Sequence, residues 1–451
     1  MNRNLLALLA LLALNPATFA QEKAAPTPSP DFKPIVDKMV LKDGDTVVFL
    51  GDSITHQCLY TQYVEDFFYT RWPAMRIHFH NAGVSGDRAN NALTRFDEDV
   101  GRFKPKYVTI LLGMNDGGYK GFDQPTFDTY QKDMTTLLDG IAALGATAVP
   151  MTPTMHDARA ARMRKGAEPR DTYYNGVLAL YGAWLREQAQ VRGLGFVDMY
   201  SPLNNLSVAQ RKKDPKFTLI KDAVHPDAPG QVVMAIAILD DIVAKGPVSA
   251  IMIQDKDGKL AATAANGKVA DFTAGENISF SFKANALPWV LPAEAAEGYK
   301  LTHAGHRNSN EKFTARNLKP GKYELKIDGA TVGTWTDSQL AFGVELEEND
   351  KTPQYQQALK VATLNKERNE KAVRPLRNAW SGMKGKRGEE KWLADNANSP
   401  EAPARRETFN KWLAGFKENV AKLQLLAKDY EDQIYKANQP APHKYELSRV
   451  N

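Results

Sequence analysis

A three-layer α/β fold with a mostly parallel sheet, followed by a small antiparallel β domain and a helical C-terminal region, is what this 451-residue chain predicts. Three observations carry that prediction. Between residues 45 and 246 short apolar runs alternate with amphipathic helical stretches, the pattern of strands that cross over through helices and are covered on both faces. From 247 to 345 the texture changes to short alternating runs bounded by turn dipeptides. From 346 to 451 the chain is charged and helix-periodic.

Residues 1–20 read as a signal peptide rather than structure. Arg3 supplies the positive start, Leu5 to Leu14 an apolar run, and Thr18-Phe19-Ala20 a small-residue cleavage site before Gln21. A run of that length is too short for a stable membrane span, and no later stretch is apolar for about 18 residues. A protein exported to the periplasm or secreted, with no membrane span, is therefore expected. Residues 21–44 form an extension or linker, Pro-rich from Ala24 to Pro34.

The α/β region then begins. Thr46 to Leu50 (TVVFL) is a buried strand entering a Gly-Asp-Ser turn. Gln57 to Tyr69 is helical, Arg76 to His80 the second strand and Tyr107 to Leu112 the third. Phe127, Tyr130, Met134, Leu137, Leu138 and Ile141 recur at helical steps and predict an amphipathic helix over Thr126 to Leu144. A strand at Thr147 to Met151, a helix from Thr172 to Arg192, a strand at Gly195 to Met199 and a helix from Pro226 to Ala244 complete the alternation. Val248 to Gln254, Ile278 to Lys283, Lys322 to Ile327 and Thr331 to Trp335 are the strands of the β domain, sandwich-like in pattern. Gln354 to Ala379 and Glu407 to Ala437 read as two long helices joined by a polar segment, packing as a hairpin on the body of the protein.

Composition narrows the function. The net charge is +5, from 58 basic and 53 acidic residues that are interspersed, so the dense basic stripe of a nucleic-acid binder is missing. Cys58 is the single cysteine, which excludes an intramolecular disulfide and leaves stability to the core.

Four short stretches carry the chemistry: Gly51-Asp52-Ser53-Ile54-Thr55, Asn81 to Asp87 (NAGVSGD), Gly113-Met114-Asn115-Asp116, and Asp222-Ala223-Val224-His225. A lone Gly-Asp-Ser is a common turn. Together the four supply a serine, a glycine-rich turn, an asparagine amide and an Asp-x-x-His pair, the parts that acyl transfer needs. A serine hydroxyl attacks only when a base removes its proton, and His225 is the candidate base. Asp222, three residues earlier, can fix its tautomer. The first and third stretches each follow a strand, where open α/β sheets bind ligands.

On these four blocks the chain resembles the SGNH (GDSL-type) hydrolase superfamily, over roughly Asp45 to Lys245. The resemblance implies a flavodoxin-like fold and a serine esterase with Ser53, Asp222 and His225 as catalytic residues. It assigns the oxyanion donors to Ser53, Gly86 and Asn115, and needs no metal or other cofactor. Tyr119 and Phe122, following the third block, and His156, after the fourth strand, are the candidate substrate contacts. His78 and His80 share one strand face, but no Cys or carboxylate cluster accompanies them, so no metal site is expected. Exported relatives with an appended β domain resemble carbohydrate esterases, which implies a small acyl ester, acetyl above all, on a glycan. Two other readings stand beside it: a lipase or thioesterase acting on longer chains, and a glycan-binding protein with a vestigial site.

Overall fold

A computed structural model describes residues 33–163 and 173–450. The expected signal peptide lies outside these, as do residues 21–32 of the expected linker and Thr172, the expected start of a helix that runs from Tyr174 to Arg192. Among the described residues no helix is long and apolar enough to cross a membrane.

The first layer system is the expected one. Strands β1 (Thr46–Gly51), β2 (His78–Gly83), β3 (Tyr107–Leu111) and β4 (Thr147–Pro150) form a parallel sheet in the order β2-β1-β3-β4. This is the flavodoxin-like architecture of SGNH hydrolases. Val47, Val48, Phe49 and Leu50 of β1 are all buried because helices cover both faces, so the strand is continuously apolar rather than alternating. The helices Leu59–Arg71 and Ala228–Ile242 pack on each other beside it.

The expected strand at Gly195 to Met199 is reduced to isolated bridges, Met151 with Val197 and Val36 with Gly195. The physical reason is brevity. After Val197 the chain turns at once into the helix Tyr200–Arg211, so no ladder propagates along β4.

Among the described residues, nine further strands build two packed sheets. In chain order they are β5 (Ser249–Lys256), β6 (Lys259–Ala265), β7 (Gly267–Ala274), β8 (Asn277–Ala284), β9 (Glu311–Ala315), β10 (Lys322–Ile327), β11 (Ala330–Thr336), β12 (Val344–Glu345) and β13 (Pro442–Val450). The sheet orders are β11-β10-β13-β8-β7 and β12-β9-β5-β6. Ile251, Ile253, Phe280, Phe282, Phe313, Leu325, Tyr445 and Leu447 fill the space between them, as in a sandwich. Two details depart from the sequence reading. The β5–β9 pair is parallel, not antiparallel. The last segment, read as part of a helical region, is strand β13, which sits between β10 and β8. Tyr445 and Leu447 face the core at strand spacing, a two-residue period too short to stand out beside the helices before it.

The C-terminal helices also run further than expected. Pro353–Arg368 passes through a π-helical turn (Asn369–Val373) into Arg374–Asp395, and Ala402–Ala437 returns alongside. Gly382, Gly385 and Gly388 do not end the second helix at Ala379. Leu376, Trp380 and Met383 bury against Val84, Val420 and Leu423, and tertiary packing outweighs glycine's weak propensity. Val84 belongs to the second motif block, so this helix, here called the brace helix, lies against the candidate site.

One buried carboxyl gives a stability prediction. Burial, reinforced by Glu347, pushes the Glu311 carboxyl up to about 8. The folded state thus keeps a proton that the unfolded chain releases from its ordinary 4.5 upward, and stability falls as pH rises through that window. Glu311→Gln should raise the thermal midpoint at pH 9 and leave it nearly unchanged at pH 5. A shift equal at both pH values would contradict the assignment.

Candidate active site

The site is built where strands end. β1 finishes at Gly51, and Asp52 caps the short helix Ser53–His56, its Oδ1 accepting from the Ile54 N–H at 2.9 Å. Ser53 is the first residue of that helix, so its own N–H has no intrahelical acceptor. The helix packs directly over the end of β2. A Cβ on Gly83 would lie 2.4 Å from the His56 backbone nitrogen, and only glycine fits there.

The structure brings three of the expected residues into one hydrogen-bonded chain. His225 Nε2 lies 2.8 Å from Ser53 Oγ, and His225 Nδ1 lies 2.7 Å from Asp222 Oδ2. The loop that aligns them is held by Asp222 itself. Its Oδ1 accepts from the backbone N–H groups of Val224 at 3.0 Å and His225 at 2.7 Å. Burial alone would raise the Asp222 carboxyl, but these backbone donors and the imidazole outweigh it and hold it below the usual carboxylate range. The carboxylate stays ionised and accepts a hydrogen bond from Nδ1–H, which leaves Nε2 as the acceptor for the serine O–H.

Gly86 and Asn115 lie on turns that are joined through Asp87. Gly86 has φ +71°, a left-handed conformation that favours glycine, and it follows β2 by three residues. Asn115 Nδ2 donates to the Asp87 carbonyl at 2.9 Å and makes a longer 3.4 Å contact to Asp52 Oδ2. Its Oδ1 accepts from the Tyr119 hydroxyl at 3.0 Å, which fixes which end of the amide faces the site. Asp116 ties the turns together, its two oxygens accepting from the Ala89 N–H at 2.8 Å and the Gly113 N–H at 2.9 Å. Burial pushes Asp116 up to about 6 and Asp52 up to about 7, in Asp52 with help from the Asp116 and Asp87 charges.

The three expected substrate contacts separate. Tyr119 is joined to the cluster through Asn115. His156 is only 2% exposed, its ring edge-on to Tyr119 and to Tyr174, so it backs Tyr119 rather than lining an open cleft. Phe122 is 49% exposed and packs on Phe127, outside the hydrogen-bonded cluster. The paired strand histidines go to separate partners, His78 to Glu431 and His80 to Asp99. Among the described residues no group of three or more His, Cys, Asp or Glu is placed to hold a metal ion.

Sequence reasoning missed the residues that the brace helix brings to these turns. Asn378 Oδ1 lies 2.9 Å from His56 Nε2, while His56 Nδ1 takes the Ser85 backbone N–H at 3.2 Å. Burial lowers His56, keeping it neutral as this bonding requires. Arg377 Nε donates to the Gly83 carbonyl at 2.9 Å, and Lys384 reaches the Ser85 carbonyl at 3.2 Å. More than 290 residues separate these pairs, and no local motif marks the contacts.

Comparison with known proteins places this geometry. Residues 49–233 match the model of the GDSL-like Lipase/Acylhydrolase family. The acetylxylan esterase of Geobacillus stearothermophilus is 25% identical over 228 residues, covering 45% of this chain and 96% of that protein. The solved structure of a gut microbial diltiazem-metabolizing enzyme superposes with a TM-score of 0.79 at 27% identity, covering 92% of this chain and 100% of that one. This last similarity therefore extends beyond the α/β region to the β sheets and the C-terminal helices.

Proposed function

Since the chain is an SGNH hydrolase whose residues 49–233 form a GDSL-like acylhydrolase domain, and thereby a carboxylic ester hydrolase, we propose that it is an exported serine esterase removing small acyl groups, acetyl above all, from a carbohydrate. The single observation carrying the catalytic part is the continuous Ser53–His225–Asp222 chain, at 2.8 and 2.7 Å.

Ser53 Oγ adds to the ester carbonyl carbon as its proton passes to His225 Nε2. The imidazolium so formed is stabilised by Asp222. The carbonyl oxygen becomes an oxyanion that accepts from the N–H groups of Ser53 and Gly86 and from Asn115 Nδ2. Collapse of this intermediate breaks the bond to the alkoxide, which leaves as the alcohol with the His225 proton. Water then gives a proton to His225 and adds to the acyl-enzyme, and a second collapse releases the carboxylic acid and restores the serine. Tyr119 orients the Asn115 amide in this scheme, besides facing the substrate.

Acetyl and carbohydrate are supported by the acetylxylan esterase among the relatives, and export by the charged, apolar and small-residue pattern of the first twenty residues. The test is hydrolysis of p-nitrophenyl esters from acetyl to octanoyl by the mature protein. Activity should be highest on acetyl and fall with chain length. A maximum at octanoyl would replace the acetyl reading with the long-chain one.

A further inference from the structure

The Ser85 carbonyl and the Gly86 N–H are the two ends of one peptide unit. A peptide is planar, and in its trans form the two groups point in opposite directions, so whatever holds the oxygen also aims the N–H. The oxygen is held by Lys384 of the brace helix, whose Nζ donates to it at 3.2 Å. The same ammonium stands 3.0 Å from Asp87 Oδ1, an ion pair that anchors it from the other side of Gly86. It lies 3.5 Å from the point where a Cβ on Gly86 would be, so it sits directly against the turn.

We propose that Lys384 is a positioning residue for the oxyanion hole, orienting and polarising the Ser85–Gly86 peptide so that the Gly86 N–H meets the developing negative charge. The inference rests on the site assignment above. A cation on a carbonyl oxygen draws electron density from the whole amide, and its N–H becomes a stronger donor. The ammonium also contributes a positive charge beside the place where an anion forms, and that contribution is larger in the transition state than in the ground state.

Neighbouring brace-helix contacts do not do this. Arg374 bonds the Gln57 carbonyl at 2.7 Å and Asn378 meets the His56 ring at 2.9 Å, both at the C-terminal end of the short helix Ser53–His56. Arg377 is part of the core. Lys384 alone of these touches the peptide that carries a proposed oxyanion donor. Its side chain is 32% exposed, so replacing it opens no core cavity. Asp87 keeps a second partner, Arg95, whose Nε donates at 2.9 Å.

The test uses the full mature protein with Lys384→Met, Lys384→Arg and, as a control on the same helix, the exposed Lys391→Met. Steady-state hydrolysis of p-nitrophenyl acetate is measured together with inhibition by phenylboronic acid, which adds to a nucleophilic serine as a tetrahedral anion. Lys384→Met should lower kcat by about 10- to 100-fold, part of what loss of a whole donor costs, with KM changed by less than about twofold. Boronate affinity should fall by a similar factor while the thermal midpoint holds. Lys384→Arg should recover most of both, and Lys391→Met should match the native protein. A native kcat in Lys384→Met, a loss confined to KM, or a loss without weaker boronate binding would overturn the inference. Ser53→Ala assayed alongside separates the two levels. Retained activity there overturns the site assignment itself, whereas an inactive Ser53→Ala beside a native-like Lys384→Met overturns only the role of Lys384.

Discussion

Arg377→Met is expected to destabilise the protein by about 3–5 kcal/mol, the usual result of stripping one partner from a buried ion pair. The Arg377 side chain is 0% exposed. Its guanidinium bonds both oxygens of Asp99, the Gly83 carbonyl at 2.9 Å and the Asn81 carbonyl at 2.7 Å. Methionine fills similar volume but leaves two backbone carbonyls without their donor. It also leaves Asp99 to Arg95, which donates at 2.6 Å, and to His80 at 3.0 Å. Burial alone would raise Asp99, yet Arg377, His80 and Arg95 outweigh it and hold the carboxyl well below its usual range. A depressed carboxyl contributes stability above its unfolded value of 3.8 and loses it as pH falls towards the folded value. The Arg377→Met deficit should therefore be full at pH 7 and shrink in acid below pH 3.8. Lysine should not rescue it, because a point charge cannot reproduce the forked contact. Denaturant unfolding measures the effect, and a deficit below about 1 kcal/mol would mean the network is not a structural keystone.

Ser53→Ala is expected to lower kcat for p-nitrophenyl acetate by about 10⁴-fold or more, with the residual rate coming from binding and the oxyanion donors alone. Folding should survive. Ser53 is half-buried at the surface of the site, and its hydroxyl bonds only His225 among the described residues. The thermal midpoint of the variant checks this, because a fall in activity accompanied by unfolding would say nothing about the nucleophile.

Much of this architecture was legible in the chain. The parallel sheet announced itself through runs such as Thr46 to Leu50, which only a strand covered on both faces can carry. Ser53, Asp222 and His225 were legible because each sits in a short block whose residue types fit one chemistry, and folding brings them to hydrogen-bonding distance. What stayed hidden depends on long-range packing. His156 looked like a cleft residue, since its place after β4 is where ligands bind, yet Tyr119 and Tyr174 close over it. The brace helix reads as an ordinary charged helix, and nothing local distinguishes Arg377, Asn378 or Lys384 from their solvated neighbours. Their meaning is set by the Gly83 and Ser85 carbonyls and the His56 ring, about 300 positions away. Strand β13 escaped for the same reason: both its sheet partners, β8 and β10, lie more than 100 residues earlier.

The central claim is that Ser53 carries the acyl group between the two half-reactions. Acid-quenching the mature protein during turnover of p-nitrophenyl acetate, followed by mass spectrometry of its peptides, tests this directly. The peptide containing Ser53 should gain the mass of one acetyl group on that serine, accompanied by a burst of one p-nitrophenolate per active site. An acetyl group on another residue, or a full burst with Ser53 unmodified, would contradict the account.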